Sequence, residues 1–178
     1  MENKKVLVTG ASGFIGSFLV EGGLERGMQT WAGIRKTSSR KYLQDKRIQF
    51  AELNFGNKQT LKEQLAVHKQ EHDGWDYIVH CAGVTKCLHK EDFDKGNYQA
   101  TVNFVEALKE LDMVPERFMY ISSLSIFGPI HEEDYEVSIS MVITIKIKGV
   151  TTLSKKMYIL ILTKIGHINQ AKNSITNT

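Results

Sequence analysis

Cysteine is scarce, with Cys81 and Cys87 the only two in 178 residues. Two are too few for a disulfide framework, so a reducing, cytoplasmic setting is the expectation. No apolar run approaches the ~20 residues that a membrane helix needs. Met1-Glu2-Asn3-Lys4-Lys5 leads straight into a short apolar strand, where no signal peptide fits. Neither sign of charge dominates, and a net charge of +3 is too small to argue for nucleic acid or a membrane surface. His68, His72, His80 and His89 do not share metal-ligand spacing with the cysteines, so no metal site is expected. No internal repeat is present.

Acidic residues run out before the end of the chain. All 20 lie before Val137. The tail from 137 to 178 carries Lys146, Lys148, Lys155, Lys156, Lys164 and Lys172 and is heavy in Ile, Thr and Asn. Ile139, Met141, Ile143, Ile145 and Ile147 alternate with mostly polar residues, which is a strand period, and Tyr158 to Leu162 is a second apolar run. Two readings account for this tail. The favoured one is out-of-frame sequence after Glu136. The other is a native ending that adds edge strands to a sheet. The expected division is therefore 1–136 as one folded unit and 137–178 as an atypical tail.

What is present is ordinary for a soluble globular chain, at 42% hydrophobic and 24% charged residues. The length suffices for one domain with a real core. The stretch that organises it is Val6-Leu7-Val8-Thr9-Gly10-Ala11-Ser12-Gly13-Phe14-Ile15-Gly16. An apolar strand ends in Thr9, glycines follow at a spacing of three, and Phe14, Ile15, Phe18 and Leu19 then recur at helical spacing. Strand, tight turn and helix is the context a dinucleotide-binding motif requires. Gly10 would make the turn out of the strand, Gly13 would let the backbone approach a pyrophosphate, and Gly16 would let the helix pack closely. The phosphates would sit on free N–H groups at the positive end of the helix.

Further along, strands are expected at Gln29–Ile34, Ile48–Ala51, Tyr77–His80 and Arg117–Ile121. Helices are expected at 13–26, capped by Gly27, at 59–69 and at 93–111. Strands alternating with helices argue for a parallel sheet covered on both faces, with right-handed crossovers. Dinucleotide folds that take NAD usually place an acidic residue at the end of strand two. Here stand Arg35 and Lys36. Arginine suits a 2′-phosphate, through paired charge-assisted hydrogen bonds, so NADP(H) is expected over NAD(H). A solvated basic loop is the plain alternative. Glu52 and Leu53, after strand three, are candidates to flank an adenine.

Four ordered segments carry a family resemblance over about residues 4 to 130. Thr9-Gly10-x-x-Gly13-x-x-Gly16 resembles the cofactor motif of the extended short-chain dehydrogenase/reductases, the NAD(P)-dependent epimerases and dehydratases. His80-Cys81-Ala82-Gly83 is similar to the loop that lies along the cofactor there. Asn97-Tyr98-Gln99-Ala100-Thr101-Val102-Asn103 resembles the helix pattern Asn-x-x-Gly-Thr-x-Asn, with Ala100 for the glycine. Tyr120 to Gly128 resembles the segment bearing the active-site serine. Arg35 makes the dihydroflavonol-reductase-like branch the most similar one.

The resemblance implies an α/β, Rossmann-type doubly wound parallel sheet with helices on both faces. It implies hydride transfer between a nicotinamide and a small carbonyl or nucleotide-sugar-type substrate. Cofactor contacts are implied from Thr9, Gly10, Ser12, Gly13, Phe14, Ile15, Gly16, Cys81, Ala82, Gly83, Asn103 and Ser122. Ser123 takes the catalytic serine's place and Ser125 stands near the substrate. Asn97 is either a holder of an active-site water or a surface amide. Homodimers through the 93–111 helix are a further family expectation.

The resemblance has a gap. The family needs Tyr-x-x-x-Lys after the serine, but Ile139 and Leu162 stand four positions beyond Tyr135 and Tyr158. Tyr42-Leu43-Gln44-Asp45-Lys46 lies in the wrong loop and reads as chance. The family's C-terminal lobe, which chooses the substrate, would begin where this chain stops. A non-catalytic dinucleotide-binding sensor or scaffold is therefore the alternative.

Overall fold

The computed structural model describes residues 3–123 and the strand 156–162. In chain order the elements are β1 (Lys5–Thr9), α1 (Phe14–Glu25), β2 (Gln29–Ile34), β3 (Gln49–Glu52), α2 (Lys58–His72), β4 (Tyr77–His80), α3 (Lys90–Phe93), a π-helical turn (Asp94–Gln99), α4 (Ala100–Glu110), β5 (Arg117–Ser123) and β6 (Lys156–Leu162). The six strands form one sheet in the order β3-β2-β1-β4-β5-β6, and every adjacent pair is parallel. This is the doubly wound order, in which the order of the strands reverses between β1 and β4.

The strands read as near-continuous apolar runs because both faces are covered. Alternate residues of one strand feed different cores. Leu7 joins Trp31, Leu61, Leu65, Ile78, Phe104 and Leu108 beneath α2 and α4. Val6 and Val8 join Val20, Leu24, Ala32 and Ile34 beneath α1. Helix α1 ends in a Schellman cap, as Gly27 predicts. Gly27 has φ +69°, its N–H donates to Leu24 C=O at 3.0 Å, and Met28 N–H donates to Gly23 C=O at 3.1 Å.

One helix shifts, and one apolar run takes its place in the sheet. The helix expected over 93–111 starts at Lys90 and is widened into a π-turn over Asp94–Gln99 before continuing as α4. Val102, Val105, Ala107 and Leu108 all fall in the regular part, α4. The apolar run 158–162 does form a strand, within β6, paired in parallel with β5 from Arg117↔Lys156 to Ser123↔Leu162. The alternating run 139–147, Ser125 and the proposed junction at Glu136 lie outside the described residues.

Candidate functional site at the carboxyl ends of the strands

The glycine turn follows directly from β1. Thr9 is fully buried, and Gly10 reverses the chain with φ +65°. Gly10 is also pinned sterically, because a Cβ there would lie 2.8 Å from Ala82 N. The β1 turn and the loop after β4 therefore touch backbone to backbone. Gly16 is tighter still, since its Cβ would lie 2.3 Å from Gly10 C=O and 2.8 Å from Ala11 Cα. The helix thus packs on the turn itself, a slight refinement of packing on the strand. Gly13 is exposed, and the one atom near its Cβ position is Gly10 C=O at 3.2 Å.

Helix α1 begins without a cap. Gly13 at its N-cap offers no side chain, and no acidic residue lies in the first turn. Its initial N–H groups are open to an anion, and no carboxylate competes for the helix's positive end. This donor set fits the pyrophosphate of a dinucleotide. Phe14 and Ile15 lie exposed at the same end, and Ser12 is half-buried.

The other candidate residues fall at the same edge of the sheet with different roles. Arg35 and Lys36 are exposed just past β2. Arg35 N–H donates to Ser38 Oγ at 3.1 Å and its C=O accepts from Ser38 N–H at 2.9 Å, so a local turn holds the backbone and leaves the guanidinium outside. Glu52 is exposed, whereas the Leu53 side chain is wholly buried in the core under α2. Only the backbone of Leu53 faces this edge, and its N–H is already given to Ile34 C=O at 2.9 Å. Asn103 is also buried and occupied. Its Oδ1 accepts from Gln99 Nε2 at 2.9 Å, and its Nδ2 donates to Phe55 C=O at 3.4 Å. It braces the loop after β3 rather than facing outward.

Asn97 spends its amide inside the protein as well. Oδ1 accepts from Val84 N–H at 2.8 Å and Nδ2 donates to Val84 C=O at 3.1 Å. It clamps the loop after β4, and a Cβ on Gly83 would come 2.7 Å from Oδ1. Cys81 packs with the α1-side core, and burial pushes its thiol up to about 12. It behaves as a small apolar group. Ser122 is half-buried near the end of β5, and Ser123 is that strand's last residue, two and three positions beyond the Tyr120↔His80 pair. Among the described residues no cluster of three or more His, Cys, Asp or Glu is placed to hold a metal ion, and no helix is long and apolar enough to cross a membrane.

Sequence reasoning passed over the centre of this region. His80 is 1% exposed and sits among Phe55, Phe104, Phe118 and Tyr120, with ring centroids 5.3–6.1 Å away. Burial holds its imidazole down at about 4, so it is neutral near pH 7. Nδ1 lies 2.8 Å from Thr9 Oγ1, and Nε2 lies 3.1 Å from Thr101 Oγ1. The available signal was a histidine closing an otherwise apolar strand beside the glycine turn.

A parallel sheet of this order, with a glycine turn and an uncapped helix at the point where the strand order reverses, defines a Rossmann-type dinucleotide-binding fold. Residues 6–143 match the profile of the NAD dependent epimerase/dehydratase family, and the chain belongs to that family. Among solved structures it is similar to the Bordetella bronchiseptica enzyme WbmH in complex with NAD+, with 29% identity and a TM-score of 0.57 over 71% of this chain and 41% of that one. It is similar also to gox2253, with 28% identity and a TM-score of 0.57 over 71% of this chain and 36% of that one. In fold alone it resembles the UDP-Glc/GlcNAc 4-epimerase of Campylobacter jejuni, with 21% identity and a TM-score of 0.60 over 71% of this chain and 39% of that one. The chain thus spans about two-fifths of the length of these structures. No match emerged from a search of curated proteins.

Proposed function

We propose that this chain binds a nicotinamide dinucleotide across the β1–β4 crevice, as the cofactor-binding half of an epimerase/dehydratase-type oxidoreductase. The observation that carries the reading is the contact of the Gly10 turn with the Cys81–Gly83 loop directly before the uncapped start of α1. The amides from Phe14 to Gly16 would take the pyrophosphate, since Gly13 N–H is already given to Gly10 C=O at 3.0 Å, and the Gly10 turn would lie under it. A bound nicotinamide supplies the hydride-transfer chemistry. Ser123, the last residue of β5, would orient a substrate oxygen, in keeping with the family resemblance. The substrate class, a small carbonyl or nucleotide-sugar-type molecule, rests on that resemblance alone.

The cofactor we infer is NADP(H) over NAD(H). The support is the exposed guanidinium of Arg35 with Lys36 beside it, at the strand end where an acid would otherwise take the ribose hydroxyls. The NAD+ in WbmH makes the opposite preference the natural rival. Calorimetric titration decides between them. NADPH should bind more tightly than NADH, by about tenfold for one good charge-assisted pair. Arg35→Ala should close the gap. Tighter binding of NADH would overturn the preference, and binding of neither would overturn the cofactor reading.

The missing Tyr-x-x-x-Lys after Ser123 favours a second reading, a dinucleotide-binding module without turnover. Loss of a positioned acid–base pair removes about 10² to 10⁴-fold in rate. NADPH oxidation with a panel of aldehydes, ketones and flavanonols separates the two readings. Turnover that disappears in Ser123→Ala excludes the module, whereas binding without turnover supports it.

A further inference from the structure

Around His80 the roles of the two flanking threonines follow from their other partners, and Thr101 Oγ1 also has the Tyr120 hydroxyl as a neighbour, for which its second acceptor place is free. Cys81 N–H and Ala82 N–H both donate to Thr9 Oγ1, each at 3.2 Å. A hydroxyl oxygen accepts two bonds and donates one. Both acceptor places of Thr9 are taken, so its O–H points to the remaining neighbour, His80 Nδ1 at 2.8 Å. Nδ1 is then the acceptor, and a neutral ring carries its proton on Nε2. From the other side, Thr101 Oγ1 lies 2.6 Å from Asn97 C=O, which only accepts, so the threonine donates there. Thr101 is left to accept from His80 Nε2–H at 3.1 Å. Both ends of the chain of bonds demand the same tautomer.

We propose that His80 is a positioning residue for the dinucleotide crevice. It is locked as the Nε2–H tautomer in a one-way chain from the Cys81 and Ala82 amides through Thr9, His80 and Thr101 to the Asn97 carbonyl. The chain ties together the three segments that frame the crevice: the glycine turn through Thr9, the loop after β4 through its two amides, and the π-turn through Asn97. The Asn97 side chain closes the circuit by holding Val84 of the same loop. The crevice as a cofactor site rests on the function proposed above, but the tautomer and the loop restraint do not.

The test is made on the full chain. Long-range ¹⁵N–¹H correlation of the histidine side chains should show His80 protonated on Nε2 and bare on Nδ1. Hydrogen exchange should show the Cys81 and Ala82 amides protected. Thr9→Val keeps the shape and removes the hydroxyl. It should speed exchange of those two amides by tenfold or more and weaken dinucleotide binding by a similar factor. Thr9→Ser should restore both. An Nδ1–H tautomer in the parent chain, or unchanged Cys81 and Ala82 exchange in a folded Thr9→Val chain, overturns the proposal. A parent chain that binds no dinucleotide refutes the function proposed above, while tautomer and exchange still decide this one.

Discussion

Two buried histidines sit at opposite ends of the sheet, and burial treats their protons alike. His80, at the carboxyl end, is held at about 4 by desolvation. His68, on α2 near the amino end, is also at about 4, from desolvation first and then the charges of His72 and Lys5. Their surroundings differ completely. Both nitrogens of His80 are bonded. His68 is 8% exposed, stacks on Trp75 at 3.9 Å and meets Trp31 edge-on at 5.7 Å. Among the described residues its Nε2 and the Trp75 Nε1 have no partner. Stacking places a ring in a layer but leaves its rotation soft, whereas two directional bonds fix it. The end that would meet a ligand is built from direction, and the far end from packing.

The sharpest way to break this comparison is a methyl group at each end. Gly16→Ala would drive its Cβ into the Gly10 carbonyl, where neither backbone has room to yield. A loss of at least about 3 kcal/mol in urea unfolding is expected, along with loss of dinucleotide binding. Gly74→Ala, beside Trp75, meets nothing within 4 Å. It should be neutral or stabilise by up to about 1 kcal/mol through the unfolded chain. Equal losses at the two sites would mean that the carboxyl end is no more tightly specified than the other.

Acid tests the two histidines together. Each has a folded value near 4 against about 6.5 unfolded, so the unfolded chain binds more protons between those values. Their contribution is complete above about pH 6.5, declines as pH falls and is lost by about pH 4. At pH 5 each costs about 2 kcal/mol. Urea midpoints at pH 7.5 and pH 5 measure the sum. His68→Phe should remove about half of the acid sensitivity and leave stability at pH 7.5 nearly unchanged, since it deletes an unpartnered nitrogen and keeps a ring on Trp75. An unchanged pH dependence would show that His68 is already solvated in the folded chain.

Much of the fold was legible because parallel strands announce themselves. The bounds of β1, β2 and β4 follow from their apolar runs, and β5 extends two residues further than its run. The glycine spacing placed the turn and α1. Side-chain direction was harder. Phe14 and Phe18 recur at helical spacing, yet they are 70% and 57% exposed and meet each other edge-on at 5.1 Å. The buried stripe of α1 is Gly16, Val20, Gly23 and Leu24, where small residues let the helix sit close. Periodicity reported a helix but not which face is covered. Leu53, a candidate to flank an adenine, and Asn103, a motif position, both point into the protein, and Asn97 clamps a backbone. Whether a polar side chain at a strand end looks out or in depends on the tertiary register of neighbouring segments, which no local pattern contains.

The smallest expected effect probes what holds the far end beyond its aromatic stack. Lys4 Nζ reaches Asp76 Oδ1 at 2.7 Å and Glu116 Oε2 at 3.2 Å, while Lys5 N–H donates to Asp76 Oδ2 at 2.7 Å. These bonds join the segments leading into β1, β4 and β5, as the His80 chain joins segments at the other end. They differ in that the Lys4 ammonium and its partners are part-exposed, where ion pairs are weak and salt screens them. Lys4→Met should cost less than about 1 kcal/mol in urea unfolding, well below the loss expected for Gly16→Ala. The residual shift should vanish in about 1 M salt, where the screening length is about 3 Å. A large, salt-insensitive loss would mean that the far end also depends on directed polar contacts, and the contrast between the two ends would fail.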